Sequence, residues 1–301
     1  MSQASDFLRK AFGEGDAARD AGLSTPEGIE RFDDIVYGTE ADWQVLDVYR
    51  PKAAAGERLP VIVSVHGGGW VYGNKEAYQH YCMSLAGQGF AVVNFTYRLA
   101  PEFLYPANLE DTNLAVQWVL ANAEAFLLDT EHIFAVGDSA GAQILASYAA
   151  ICTNPDYAAD FPFAVPAGFS FTAIALNCGV YLLNDPALLD PMTAALRADQ
   201  MPEGGTEAEY TKASPVNWIA EHFPPTLYMT CSGDFLKQQA PLLEAALVKA
   251  NVPHEFHYLV SAEEDLGHVF HLNVKSGEAA RCNEMECGYF KSFLGKGGKE
   301  I

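Results

Sequence analysis

The sequence predicts an α/β protein built on a mostly parallel, doubly wound, eight-stranded sheet with a helical cap. Three observations predict it. From Pro60 onward, short apolar runs rich in β-branched and aromatic residues alternate with helical patterns, as parallel strands joined by crossover helices do. The runs Val61–Val65, Ala91–Phe95 and Ile133–Val136 are nearly unbroken in apolar residues, which strands covered on both faces require. At 301 residues, 50% of them hydrophobic, the chain can bury one large core.

Taken in order, Arg31–Tyr37 and Trp43–Tyr49 read as strands with no helix between them, so they are expected to pair as an antiparallel edge. Pro60–Val65 leads into a glycine run and then a helix over Glu76–Gln88. Ala91–Tyr97 is followed by a helix over Asn108–Ala123, and His132–Val136 runs directly into one over Ala140–Ala150. Ala173–Cys178, Thr226–Cys231 and His254–Val260 complete the strands, with helices over Ala240–Ala250 and Glu278–Leu294. Two segments break the alternation. One is the weakly helical stretch up to about Glu30; the other runs from Tyr181 to Phe223, with a helical piece near Met192–Ala198 and a polar turn at Glu203–Thr206. The chain is read as one domain, 1–301, in which segments of about 1–30 and 181–223 form the cap.

A formal charge of −21 argues against nucleic acid and anionic membrane surfaces as partners. The six cysteines form no CxxC pair and resemble neither a zinc site nor a disulfide framework. Residues 1–13 lack the apolar core of a signal peptide. The most membrane-like stretch, Phe161–Leu183, is interrupted by Pro162, Pro166, Gly168, Ser170 and Asn177, and reads as a buried strand with its approach loop. A cytoplasmic protein without membrane attachment is expected. One chain does not show which surfaces pair, so a homodimer stays open.

The sharpest chemical signal is Gly137-Asp138-Ser139-Ala140-Gly141, a G-x-S-x-G match between an expected strand and an expected helix. A sharp strand-to-helix turn lifts a serine hydroxyl off a rigid support, and flanking glycines admit close backbone approach. The helix N-terminus below it offers free N–H groups and partial positive charge. A second signal is His66-Gly67-Gly68-Gly69-Trp70, directly after Val61–Val65. Three glycines let N–H groups turn toward a developing oxyanion, where one donor is typically worth roughly 10²–10³ in rate. No Gly-Lys-Ser/Thr follows, which excludes a phosphate-binding P-loop. His66 is read as orienting this loop rather than reacting.

A serine nucleophile needs a general base and an acid to orient it. His268 lies in a polar loop after the last strand, where the base is expected; His271, three residues on, competes with it. Asp234, in Ser232-Gly233-Asp234-Phe235 just past Thr226–Cys231, is the expected acid. Trp70, Tyr72 and Phe235 are candidates for lining the substrate pocket.

Together these residues resemble the hormone-sensitive-lipase-like esterases of the α/β-hydrolase fold. The carrying segments are His66–Trp70, Tyr97-Arg98-Leu99-Ala100-Pro101-Glu102, Pro106-Ala107, Asp111, Trp118 and Gly137–Gly141. The resemblance implies Ser139 as nucleophile, Asp234 and His268 as acid and base, and Gly68, Gly69 and Ala140 as oxyanion-hole donors. It implies a cap over the site. The triad chemistry requires no metal or cofactor, and a capped site with no lipid-interface helix points to a soluble small-molecule ester of short-to-medium acyl chain as substrate. Arg98, Glu102 and Asp111 are read as bracing the sheet edge. The chain departs from the family at Asp234–Gln239, at Val269 and in the acidic Ser261–Leu266 stretch. An amidase such as an arylformamidase, or an acetyl or feruloyl carbohydrate esterase, would use the same triad. A non-catalytic small-molecule-binding module is the rival outside enzymes.

Overall fold

The structure, a computed structural model, describes residues 2–295. Its eight strands are β1 (Ile29–Val36), β2 (Val45–Pro51), β3 (Leu59–Val65), β4 (Ala91–Phe95), β5 (Leu128–Asp138), β6 (Ala173–Asn177), β7 (Thr226–Cys231) and β8 (His254–Leu259). The helices are α1 (Gln3–Asp20), α2 (Lys75–Ala86), α3 (Ala107–Ala121), α4 (Ala140–Thr153), the single turn α5 (Pro155–Ala158), α6 (Pro191–Asp199), α7 (Glu207–Ala213), α8 (Ala240–Lys249) and α9 (Gly277–Lys291).

One sheet contains all eight strands in the order β1-β2-β4-β3-β5-β6-β7-β8. β1 and β2 pair antiparallel, as expected at that edge, and β2 also runs antiparallel to β4; every later pairing is parallel. The central strands carry buried side chains on both faces, and the two hydrophobic clusters they divide are covered by α3, α4 and α8 on one side and by α2 and α9 on the other. After β3 the chain moves outward to β4, then returns past β3 to lay down β5. The reversal puts a crevice between the carboxyl ends of β3 and β5, the usual ligand position in an open α/β sheet.

Three features differ from the sequence expectation. β5 begins at Leu128 rather than His132, because Leu128 pairs with Leu59 ahead of an irregularity in the β3–β5 register. Helix α7 occupies Glu207–Ala213, where only the polar turn before it is expected; the Thr206 hydroxyl caps the Glu209 N–H and the Glu209 carboxylate returns to the Thr206 N–H. This capping box was legible as Thr-x-x-Glu. Helix α1 is longer and better anchored than a weakly helical segment: Ser2 caps it, and Ser2 and Ser5 both donate to the Asp199 carboxylate at the end of α6. No helix among the described residues is long and apolar enough to cross a membrane.

Candidate active site

Ser139 stands between the last residue of β5 and the first of α4, with φ 52° and ψ −118°. That conformation is costly for a non-glycine residue and is held by its surroundings. The Ser139 N–H donates to the Asn177 carbonyl on β6 at 2.9 Å. Gly141 is required because a Cβ there would lie 2.1 Å from the Val65 carbonyl oxygen, so α4 can leave the sheet this closely only without a side chain.

His268 brings Nε2 to 2.9 Å from Ser139 Oγ, and its Nδ1 lies 2.7 Å from Asp234 Oδ1. Asp234 follows β7 and is buried, accepting also from the Thr230 hydroxyl at 2.6 Å and the Leu236 N–H at 2.9 Å. Burial alone would raise its carboxyl; the hydrogen bond and charge of His268, with the Thr230 and Leu236 donors, outweigh that and hold it below the usual range. Phe235 packs its ring on the His268 imidazole, centroids 4.1 Å apart. His271 makes no such contacts: it is fully buried, neither ring nitrogen has a partner among the described residues, and burial followed by the His268 charge pushes its pKa down to about 3.

The glycine loop after β3 faces this trio. Gly68 has φ +113°, and a Cβ there would meet the Tyr72 carbonyl oxygen at 2.1 Å. The N–H groups of Gly68 and Gly69 have no partner among the described residues, and that of Ala140 is the first of α4, free by helix geometry. His66 holds the loop as expected. Its ring stacks on Tyr97 at 4.0 Å, Nδ1 lies 2.8 Å from the Gly67 carbonyl, and burial pushes its pKa down to about 4, so it is neutral at pH 7.

Beside Ser139 and His268 lies a cavity of about 60 Å³. Tyr72 lines it. Trp70 does not: it is 2% exposed, and its indole N–H donates to Gln143 at 2.9 Å, so it serves the core. Phe235 sits over His268 without lining this cavity. The sequence reading missed Phe12, Asp16 and Arg19, which α1 lays across the cavity, and Asp138, which lines it from below Ser139. The Asp138 carboxyl accepts from Tyr78 at 2.7 Å, and the same Tyr78 oxygen accepts from the Gly67 N–H at 2.8 Å, tying the serine turn to the glycine loop. Burial pushes Asp138 up to about 7. Cys178 lies within ligand distance of Asp234 and His268, but those two already bond each other.

The sheet-edge assignments hold for Arg98 and Asp111, which pair at 2.8 Å. Glu102 differs: it pairs with Arg9 of α1.

A model of the BD-FAE family matches residues 46–247, a span that includes Ser139 and Asp234 and stops short of His268. The versiconal hemiacetal acetate esterase of Dothistroma septosporum is 32% identical over 248 residues, 75% of this chain and 73% of that protein. Esterase LipC of Mycobacterium tuberculosis is 29% identical over 210 residues, 66% of this chain; the match spans only 50% of LipC. In three dimensions, esterase B from Lactobacillus rhamnosis, inhibited in its crystal by a C6-C4 SN3 compound, superimposes with a TM-score of 0.86 at 23% identity over 97% of both chains. This chain therefore belongs to the BD-FAE family, among the hormone-sensitive-lipase-like esterases of the α/β-hydrolase superfamily.

Proposed function

We propose that this protein is a serine carboxylic-ester hydrolase that works through an acyl-enzyme on Ser139. The observation that carries the reading is the hydrogen-bonded series Ser139–His268–Asp234, at 2.9 and 2.7 Å, set against the N–H groups of Gly68, Gly69 and Ala140.

In this reading Ser139 Oγ attacks the ester carbonyl as His268 Nε2 takes its proton. Asp234 fixes the tautomer that leaves Nε2 free to accept and steadies the imidazolium that forms. The carbonyl oxygen, now negative, turns toward the Gly68, Gly69 and Ala140 N–H groups, which need no reorganisation to receive it. His268 then gives its proton to the departing alkoxide. A water molecule, deprotonated by His268 in turn, releases the acid and restores Ser139.

Helix α1 and the segment 181–223, joined by the Ser2 and Ser5 bonds to Asp199, act as the cap that shields these steps from bulk water. The small cavity beside Ser139, and a relative named for an acetate ester, both favour short acyl groups. The six cysteines, free thiols in the fold, favour a reducing compartment, and we assign the protein to the cytoplasm.

The test is hydrolysis of a p-nitrophenyl ester series from acetate to decanoate by wild type and Ser139→Ala. The reading expects turnover falling as the acyl chain lengthens, and its loss in the variant. Turnover that survives in Ser139→Ala removes Ser139 as nucleophile.

A further inference from the structure

The cavity beside Ser139 is too small for the longer alkyl chains such a site is expected to hold, and its lining mixes apolar with charged groups. At about 60 Å³, it is less than half the volume of a roughly 150 Å³ cavity that holds one benzene, and so has room for about two or three non-hydrogen atoms. Phe12, Val269 and Leu272 give it apolar sides. The rest is carboxyl, phenol, guanidinium and glycine backbone, beside the Ser139 hydroxyl and the His268 imidazole.

Two carboxyl groups line the space with acceptor capacity to spare. Asp16 accepts from Arg19 Nη1 and from the Tyr72 hydroxyl, each at 2.8 Å. Asp138, 2% exposed, accepts one side-chain hydrogen bond among the described residues, from Tyr78. A carboxylate has room for about four. An alkyl group seated here would desolvate these acceptors and return nothing. A ligand that donates a hydrogen bond recovers that loss.

We propose that this cavity recognises a hydroxyl group on a two- or three-atom arm of the substrate ester, with Asp16 and Asp138 as the acceptors. The inference rests on the serine-esterase reading and narrows its substrate class to small hydroxylated esters. An ammonium is disfavoured as the donor because Arg19 lines the same space, its guanidinium held by Asp16, Asp20 and the Ala77 carbonyl. A neutral hydroxyl meets no such repulsion. Sites built to bind a substrate hydroxyl discriminate strongly against the methyl analogue, by up to about 10⁴–10⁵. An acceptor pair open to cavity water is expected to give at least about tenfold.

The experiment uses two isosteric pairs, followed by pH-stat. Ethyl 3-hydroxypropionate against ethyl butyrate puts the hydroxyl on the acyl side; 2-hydroxyethyl acetate against propyl acetate puts it on the alcohol side. The proposal expects one hydroxylated ester to exceed its isostere at least about tenfold in kcat/KM, and the pair that shows it identifies which half of the ester enters the cavity. In Asp16→Ala that ratio falls toward one. Two pairs each within about twofold, with the esters turned over and Ser139 labelled by a phosphonate, overturn the proposal and leave the esterase standing. No turnover of any ester and no label on Ser139 overturn both.

Discussion

Arg9 of α1 grips Glu102 with both ends of its guanidinium, Nη1 to Oε1 at 2.8 Å and Nη2 to Oε2 at 2.6 Å. The same side chain donates through Nε to the Val71 carbonyl at 2.7 Å and through Nη2 to the Ala100 carbonyl at 2.8 Å. One residue thus fastens α1 to the loop after β3 and to the loop after β4, and with α1 come Phe12, Asp16 and Arg19. Because the pair is partly exposed, its own worth is modest, about 0.5–1 kcal/mol. Arg9→Ala is expected to lower global stability by more than that, because the Val71 and Ala100 carbonyls lose their donor as well, while raising KM several-fold by letting α1 lift. Hydrogen exchange along residues 3–20 and steady-state kinetics check both.

Asp234→Asn separates charge from shape. The amide fits the same space but can present a donor to His268 Nδ1, favouring the wrong tautomer. In a comparable serine triad this substitution costs about 10⁴ in kcat. A drop of about that order is expected here, with a small loss of thermal stability, because an amide nitrogen turned toward His268 also faces the Leu236 N–H and leaves it without an acceptor, while the Thr230 hydroxyl keeps the remaining oxygen.

Gly141 and Gly288 are expected to respond oppositely to alanine. At Gly141 the new Cβ would press on the Val65 carbonyl, backbone that cannot yield without moving β3 against α4. Gly141→Ala should therefore destabilise by about 1–3 kcal/mol or more, the cost of overpacking a site that cannot relax. Gly288 lies inside α9 with nothing within 4 Å of a Cβ. Gly288→Ala should stabilise by roughly 0.5–1 kcal/mol. Denaturant unfolding of the two variants is the check.

Two buried carboxyls set a pH dependence of stability. Burial pushes both Asp138 and Glu286 up to about 7; Glu286 accepts from Tyr81 at 2.6 Å and from Asn177 at 2.8 Å. In the unfolded chain such groups titrate near 4. Between pH about 4 and about 7 the folded protein therefore holds protons that the unfolded chain has released, and stability falls as pH rises through that window. Relative to wild type, Asp138→Asn and Glu286→Gln should each flatten the fall, by an amount on the order of a few kcal/mol. Urea unfolding at pH 5 and pH 8 measures it.

The sheet was legible because its central strands are buried on both faces, so Val61–Val65 and Ala91–Phe95 announce themselves by composition alone. The serine turn and the glycine loop were legible for a different reason: each needs glycine where a side chain would strike backbone, and glycines at such spacing are visible in sequence. What α1 brings to the cavity was not. Asp16 and Arg19 sit on a largely polar helix whose place depends on Arg9 meeting Glu102 and on Ser2 and Ser5 meeting Asp199, all pairings between residues far apart in the chain. The placement of Trp70 was hidden for a related reason. Its position beside the loop favours the pocket, yet the indole N–H finds Gln143 on α4 and turns the ring into the core.

The most direct test of the account is covalent labelling. After incubation with a p-nitrophenyl alkylphosphonate, peptide mass mapping should find one adduct, on Ser139, formed in step with loss of esterase activity and much more slowly in His268→Ala. An adduct on another residue, or full inactivation with Ser139 unmodified, would contradict the assignment of Ser139 as the nucleophile.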